Sequence, residues 1–339
     1  MSLEKFATYR EIKNQSAAWA QALDVVRAAE LPLPTDYEQV IFTGCGSTHY
    51  LSLSAAALYQ ELTGRAARAV PAGELFLNPQ TVLRDDLRHL LVAISRSGTT
   101  TETVRAVDKF KSEKRGDVIV ISNHDESLSH LADCSLLIPK GQEESVAQTR
   151  SFASMVVAAS AFSARMAGDE DLLNAMIKLP GIGDRLIGHY ETRAKELGEN
   201  LEMDRFYFLG SGTRHGLACE VNLKMKEMTL THSEAFHFLE FRHGPMSMVN
   251  DRTVIVGLLS DANRVHEAQV LTEMKNLGGS VVALGESGTE IVFDSGIPEP
   301  VRGVLYLPVL QLMAFYRSVA KGLNPDRPKN LSAVVKLDL

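Results

Sequence analysis

At 339 residues, 45% hydrophobic and 23% charged, the chain has the size and composition of a soluble two-domain protein with apolar content for two cores. A net charge of −7 without any run of Lys or Arg argues against a nucleic-acid surface. Three widely spaced cysteines, Cys45, Cys134 and Cys219, exclude a disulfide framework and fit a reducing compartment.

The opening MSLEKFATYREIKNQ is charged where a signal peptide would need an apolar core. The longest uncharged run, residues 151–164, is shorter than the roughly 20 apolar residues of a membrane span and predicts a buried helix. The expectation is a cytoplasmic protein with no membrane contact. Residues 5–29 carry Phe6, Ile12, Trp19, Leu23 and Val26 at helical spacing, until Pro32 and Pro34 stop the pattern. Val40, Ile41 and Phe42 predict a strand that runs into Gly44-Cys45-Gly46-Ser47. Residues 49–62 then predict a packed helix ended by Gly64. Strands follow at 66–70 and 90–94, a helix at 102–111, and further strands at 118–121 and 135–138. This alternation implies parallel strands with right-handed crossovers and helices on both faces.

The segment Ser95-Arg96-Ser97-Gly98-Thr99-Thr100 lies where the 90–94 strand turns into a helix. Helix N-termini offer free N–H groups and a positive dipole end, so hydroxyls and a glycine there suit a phosphate. An ordinary N-cap is the competing reading, although a cap needs one hydroxyl only.

The second half repeats the first. FTGCGSTHYLS, from Phe42, returns as FLGSGTRHGLA, from Phe208, and strands predicted at 254–259 and 281–284 match those at 90–94 and 118–121. Two similar α/β units are therefore expected, with a boundary near 170–190, where Gly181, Gly183 and Gly188 cluster. In place of the hydroxyl-rich segment the second copy has Leu259-Ser260-Asp261-Ala262-Asn263. Its carboxylate would repel phosphate, so one half alone keeps an anion loop. A dinucleotide fingerprint would need a third glycine, where the first copy has Tyr50-Leu51. Gly216 approximates that position in the second copy, but no hydride-transfer partner accompanies it. No cofactor is expected.

After the second Gly-x-Gly turn, Glu220, Lys224 and Glu227 fall on one helix face, as either a solvated ion-pair trio or a catalytic set. The segment 231–245 then packs His232, His237 and His243 among aromatics, with Arg242-His243-Gly244-Pro245 in a loop. Histidine spacings of five and six fit no zinc pattern, and no metal is expected.

Taken together, Gly44-Cys45-Gly46-Ser47, Ser95-x-Ser97-Gly98-x-Thr100, Glu143 with Val146-Ala147-x-Thr149, Glu220-x3-Lys224-x2-Glu227, Ser233-Glu234-Ala235 and His243-Gly244-Pro245 resemble the sugar isomerase (SIS) domain family in tandem. The likeness is to the isomerase half of glucosamine-6-phosphate synthase and to stand-alone amino-sugar-phosphate deaminases and isomerases. It runs from the Glu11-Ile12-x-x-Gln15 segment to Pro325-Asp326-Arg327-Pro328-Lys329-Asn330-Leu331. The resemblance implies two tandem three-layer αβα sandwiches with mainly parallel sheets. It places an N-terminal helix at 1–30, a first SIS domain at 31–170, a second at 190–325, and a tail at 326–339 that completes the active site.

It further implies that Ser47, Ser95, Ser97 and Thr100 bind phosphate and that Val146 and position 333 contact the sugar. Glu227 would move the proton between the first two sugar carbons, and His243 would open the ring from the partner subunit of a homodimer. Lys224 and Glu220 would surround the enediol. Three departures qualify this. No glutaminase segment precedes Lys5, so glutamine is not expected as nitrogen donor. Ala333 stands where the synthase has its Schiff-base lysine, with Lys336 three residues on, and Arg96 replaces the usual glutamine and adds charge at the phosphate. The expected function is therefore an amino-sugar-phosphate isomerase-deaminase, taking glucosamine 6-phosphate or an epimer to fructose 6-phosphate and ammonia. A plain aldose–ketose isomerase, a fructosamine-phosphate deglycase and a non-catalytic phosphosugar sensor remain as alternatives. The partners expected are a sugar phosphate and a second copy of the chain.

Overall fold

The computed structural model describes residues 2–335. They form two compact units: residues 15–143, 150–180 and 332–335 make one, and residues 2–14, 144–149 and 181–331 make the other. Position 336, the lysine after Ala333, lies outside the described residues.

The first of these units is built on strands β1 (Gln39–Gly44), β2 (Ala67–Pro71), β3 (His89–Ser95), β4 (Gly116–Ser122) and β5 (Cys134–Leu137). All pair in parallel in the order β2-β1-β3-β4-β5. Leu90 through Ile94 are fully buried, as a parallel strand covered on both faces requires. Alternate side chains serve opposite faces. Ile41, Leu91, Ala93, Val118 and Val120 pack with Ala106, Val107 and Phe110 of the helix Thr101–Ser112. On the other side Phe42 meets Tyr59 and Phe162, and the Tyr59 and Phe162 rings stack at 6.1 Å. Phe162 belongs to the helix Arg150–Ala167, whose Ser- and Ala-rich middle is buried on every side. Small residues allow such close packing, so the run 151–164 is an interior helix.

The second unit repeats the plan with β6 (Arg205–Leu209), β7 (His232–Phe236), β8 (Thr253–Leu258), β9 (Ser280–Gly285) and the short β10 (Ile291–Val292). Its order, β7-β6-β8-β9-β10, is that of the first sheet, again all parallel. Gly46 and Gly212, at equivalent turns after β1 and β6, share φ +57°, a left-handed backbone that favours glycine. One face of this sheet packs Tyr207, Leu209 and Ile255 on Val270, Leu271 and Met274 of the helix Arg264–Asn276. Among the described residues, the segment Gly303–Ala320 is long and apolar enough to cross a membrane, but 83% of it is buried inside the protein. Its helix, Leu307–Ala320, is the core helix of this unit.

Two local readings change. The single helix predicted over 5–29 is two, Ala7–Lys13 and Ser16–Ala28, broken where Asn14 leaves helical geometry at φ −120°. Each piece buries its apolar face in a different unit: Tyr9 and Ile12 in one, Trp19, Leu23 and Val26 in the other. Gly181, Gly183 and Gly188 lie within the helix Leu179–Glu199, where neighbouring helical residues hold them despite their low helix propensity.

Candidate functional site

In an open parallel sheet, ligands bind beyond the strand C-termini where the strand order reverses. In the first sheet that point falls between β1 and β3, which are direct neighbours, with Thr43 beside Ala93. The turn after β1 delivers Ser47, buried at the first position of the helix Ser47–Thr63. Thr48 closes this turn by accepting the Cys45 N–H at 2.9 Å. The turn after β3 delivers Ser95, Arg96, Ser97 and Thr100 to the same end of the sheet.

That second turn is organised by its own hydroxyls. Ser95 Oγ accepts the Gly98 N–H at 3.1 Å, and Ser97 Oγ accepts the Thr99 N–H at 3.2 Å. Gly98 has φ +67°, and an added Cβ would meet Glu126 Cβ at 3.0 Å, so glycine alone fits. Thr100 occupies the N-cap position of the following helix, yet its side chain makes no capping hydrogen bond. Thr100 Oγ1 lies 3.5 Å from Ser97 Oγ.

Arg96 is buried, with its guanidinium already engaged. Nη2 donates to the Ala333 carbonyl at 2.7 Å, and Nη1 lies 3.4 Å from the fully buried Glu143 carboxylate. Glu143 in turn accepts the Ser151 hydroxyl, and also the Ser151 N–H at 3.2 Å. Arg96 therefore joins the loop to residue 333 through the backbone, a link with no local sequence signal.

The other unit holds Glu220, Lys224 and Glu227 on the helix Arg214–Thr229. Lys224 is 2% exposed, with Nζ 2.5 Å from Glu227 Oε2 and 3.4 Å from Glu220 Oε1. The solvated reading of this trio fails for Glu220 and Lys224. A buried ammonium costs several kcal/mol unless paired, and here two carboxylates pair it. Glu227 is the partly open member, with a side chain 20% exposed. His243 sits between the 3-10 turns Glu240–Arg242 and Pro245–Met248, exposed, with its N–H donating to the Glu240 carbonyl at 2.9 Å. His237 stacks on His215 at 3.8 Å, and His232 lies exposed on β7.

Val146 is partly buried, and its N–H donates to the Asp326 carbonyl at 2.9 Å. Asp326 also caps the first helix by accepting the Ala7 and Thr8 N–H groups at 3.0 and 2.8 Å. Glu11 holds the same segment by accepting the Ser145 hydroxyl at 2.5 Å. Glu11 and Asp326 thus anchor Val146. Their motifs were visible in the sequence, but their shared task depends on contacts some 130 and 180 residues apart along the chain.

Two duplicated parallel sheets with a hydroxyl-lined switch-point turn define a class. The SIS domain family model matches residues 35–165 and 201–295, and the chain belongs to that family. Among characterised relatives, the glutamine–fructose-6-phosphate aminotransferase (isomerizing) of Pyrococcus horikoshii is 29% identical, over 100% of this chain and 58% of that protein. The enzyme of the same name from Sulfolobus acidocaldarius is 34% identical over 75% of this chain and 43% of its own. The chain spans little more than half the length of these relatives. Among solved structures, glucosamine-6-phosphate deaminase of Thermotoga maritima superposes with a TM-score of 0.83 at 28% identity, covering 98% of this chain and 100% of that one. The Escherichia coli tagatose-6-phosphate ketose/aldose isomerase shares the fold, with a TM-score of 0.80 at 23% identity over 94% and 95% of the two chains.

Proposed function

We propose that this protein is an amino-sugar-phosphate isomerase-deaminase, converting glucosamine 6-phosphate or a close epimer to fructose 6-phosphate and ammonia. The observation that carries the reading is the buried Glu220–Lys224–Glu227 set, in which a desolvated lysine is held against a partly open carboxylate. Moving a proton next to a carbonyl or imine needs a carboxylate base and a cation for the negative charge that develops. The phosphate falls to Ser47, Ser95, Ser97 and Thr100, on the turns that end β1 and β3, and Val146 contacts the sugar.

In this scheme His243 opens the pyranose ring to the free aldehyde. Glu227 removes the proton from carbon two, Lys224 stabilises the enolamine oxygen, and Glu227 returns the proton to carbon one. Carbon two is then an iminium, and water adds to it and releases ammonia, leaving the ketose. Ala333 bears no amine at the place the resemblance gives to the synthase lysine, so the scheme forms no Schiff base there. A sensing module would have no use for a buried lysine between two carboxylates.

The test is ammonia release from glucosamine 6-phosphate by the wild-type chain and by Glu227→Gln. Release by the first and its loss by at least a hundredfold in the second, with the fold kept by circular dichroism, is the expected result. Ketose formed from an aldose phosphate without ammonia from any amino sugar would instead assign a plain isomerase. Turnover unaffected by Glu227→Gln would sink both assignments.

A further inference from the structure

The second sheet has a switch point of its own, between β6 and β8. Its two turns deliver Arg214 and the segment 259–263, the counterparts of the turns after β1 and β3. We propose that this second switch point is an oxyanion pocket kept filled by the chain's own carboxylate, Glu299, so that external oxyanions are excluded from it.

The correspondence is atomic. Ser95 Oγ accepts the N–H three residues on, at Gly98, and Ser260 Oγ likewise accepts that of Asn263, at 2.8 Å. The N–H groups of Asp261 and Ala262 therefore correspond to those of Arg96 and Ser97. Both point to Glu299 Oε2, at 2.8 and 3.4 Å. The other oxygen, Oε1, takes Nη1 of Arg214. One carboxylate thus gathers two backbone donors and a guanidinium at a strand-to-helix turn, the donor set expected for a bound oxyanion.

Arg214 supports the same reading independently. It is 6% exposed, and its Nε has no hydrogen-bond partner among the described residues although it is buried. Its Nη2 lies 3.3 Å from Glu267 Oε1, while Glu267 Oε2 accepts the Ser260 N–H at 2.6 Å. Asp261, the carboxylate in the loop itself, is turned onto Arg302 at 2.5 Å. The loop therefore does not repel anions through Asp261. It has bound one already, supplied from a segment nearly forty residues downstream. This inference does not depend on which sugar or reaction the protein serves.

The experiment removes the internal anion and offers a free one. The full chain carrying Glu299→Ala is melted in sodium formate and in sodium chloride at equal ionic strength, beside the wild type. The variant should melt several degrees lower in chloride and recover most of that loss in formate, while the wild type gains much less from formate than the variant does. Equilibrium dialysis with inorganic phosphate, in a Ser97→Ala, Thr100→Val background that weakens the first loop, should show phosphate retained only when Glu299 is also alanine. Should the alanine variant fail to fold in chloride, a higher soluble refolding yield in formate than in chloride carries the same meaning. An equal yield in both salts overturns the proposal. So does a folded variant indifferent to formate, or a wild type stabilised by formate as strongly as the variant.

Discussion

Arg96 illustrates how a side chain's partners set its task. As a charge in an anion loop it reads as a phosphate contact, but its guanidinium is shared between Glu143 and the Ala333 carbonyl. Removing one member of a buried pair typically costs about 3–5 kcal/mol, because the other charge is left uncompensated. Arg96→Gln is therefore expected to lower stability by about 3 kcal/mol, read as a shift of the denaturant midpoint. Adding Glu143→Gln should recover part of that loss. No recovery in the double variant would show that the pair is not the source.

At the same scale, His215 carries a pH dependence. Burial first, and the stacked His237 second, push its pKa down to about 4. An unfolded histidine titrates near 6.5, so between that value and about 4 the unfolded chain binds a proton that the folded one does not. The stability this residue contributes is whole above about pH 6.5 and falls away as pH drops toward 4. The melting temperature of His215→Asn should accordingly depend less on pH in that window than the wild type's. Parallel curves would refute the assignment.

At the scale of elements, the turn between β3 and the helix Thr101–Ser112 separates ligand binding from folding. An N-cap residue that makes its bond is worth roughly 0.5–2 kcal/mol, but Thr100 makes no such bond. Thr100→Val should thus leave the melting temperature of the unliganded protein nearly unchanged, and adding Ser97→Ala, which loses the bond from the Thr99 N–H, should cost only about 1 kcal/mol. The double variant should abolish the thermal shift produced by a sugar 6-phosphate, since ligand stabilisation follows affinity. A large loss of stability without ligand would return this turn to a merely structural role.

For the whole molecule, the exposure of His243 in a single chain bears on assembly. If it serves the neighbouring copy of a homodimer, inactive Glu227→Gln and His243→Ala chains mixed and re-associated regain roughly a quarter of wild-type activity, one intact site per hybrid dimer. No recovery means that His243 works within its own chain.

The sequence by itself determined the central strands of both sheets and their duplication, but not the helix break at Asn14 or the strand β7. A continuous apolar run bounded by turn residues, such as Leu90–Ile94, reads as a strand buried on both faces, and two Gly-x-Gly turns followed by the same strand order at one offset read as one plan repeated. Local chemistry suffices for that, because strand, turn and helix signals act over a few residues. Tertiary structure decided the state of the charges. Lys224 is buried rather than solvated, Arg96 is paired with Glu143 and the Ala333 carbonyl, and Asp261 leaves its loop's N–H groups to Glu299. A charge is set by whatever surrounds it in space. For Arg96 and the Asp261 loop, the deciding partners lie 47, 237 and 38 residues away along the chain.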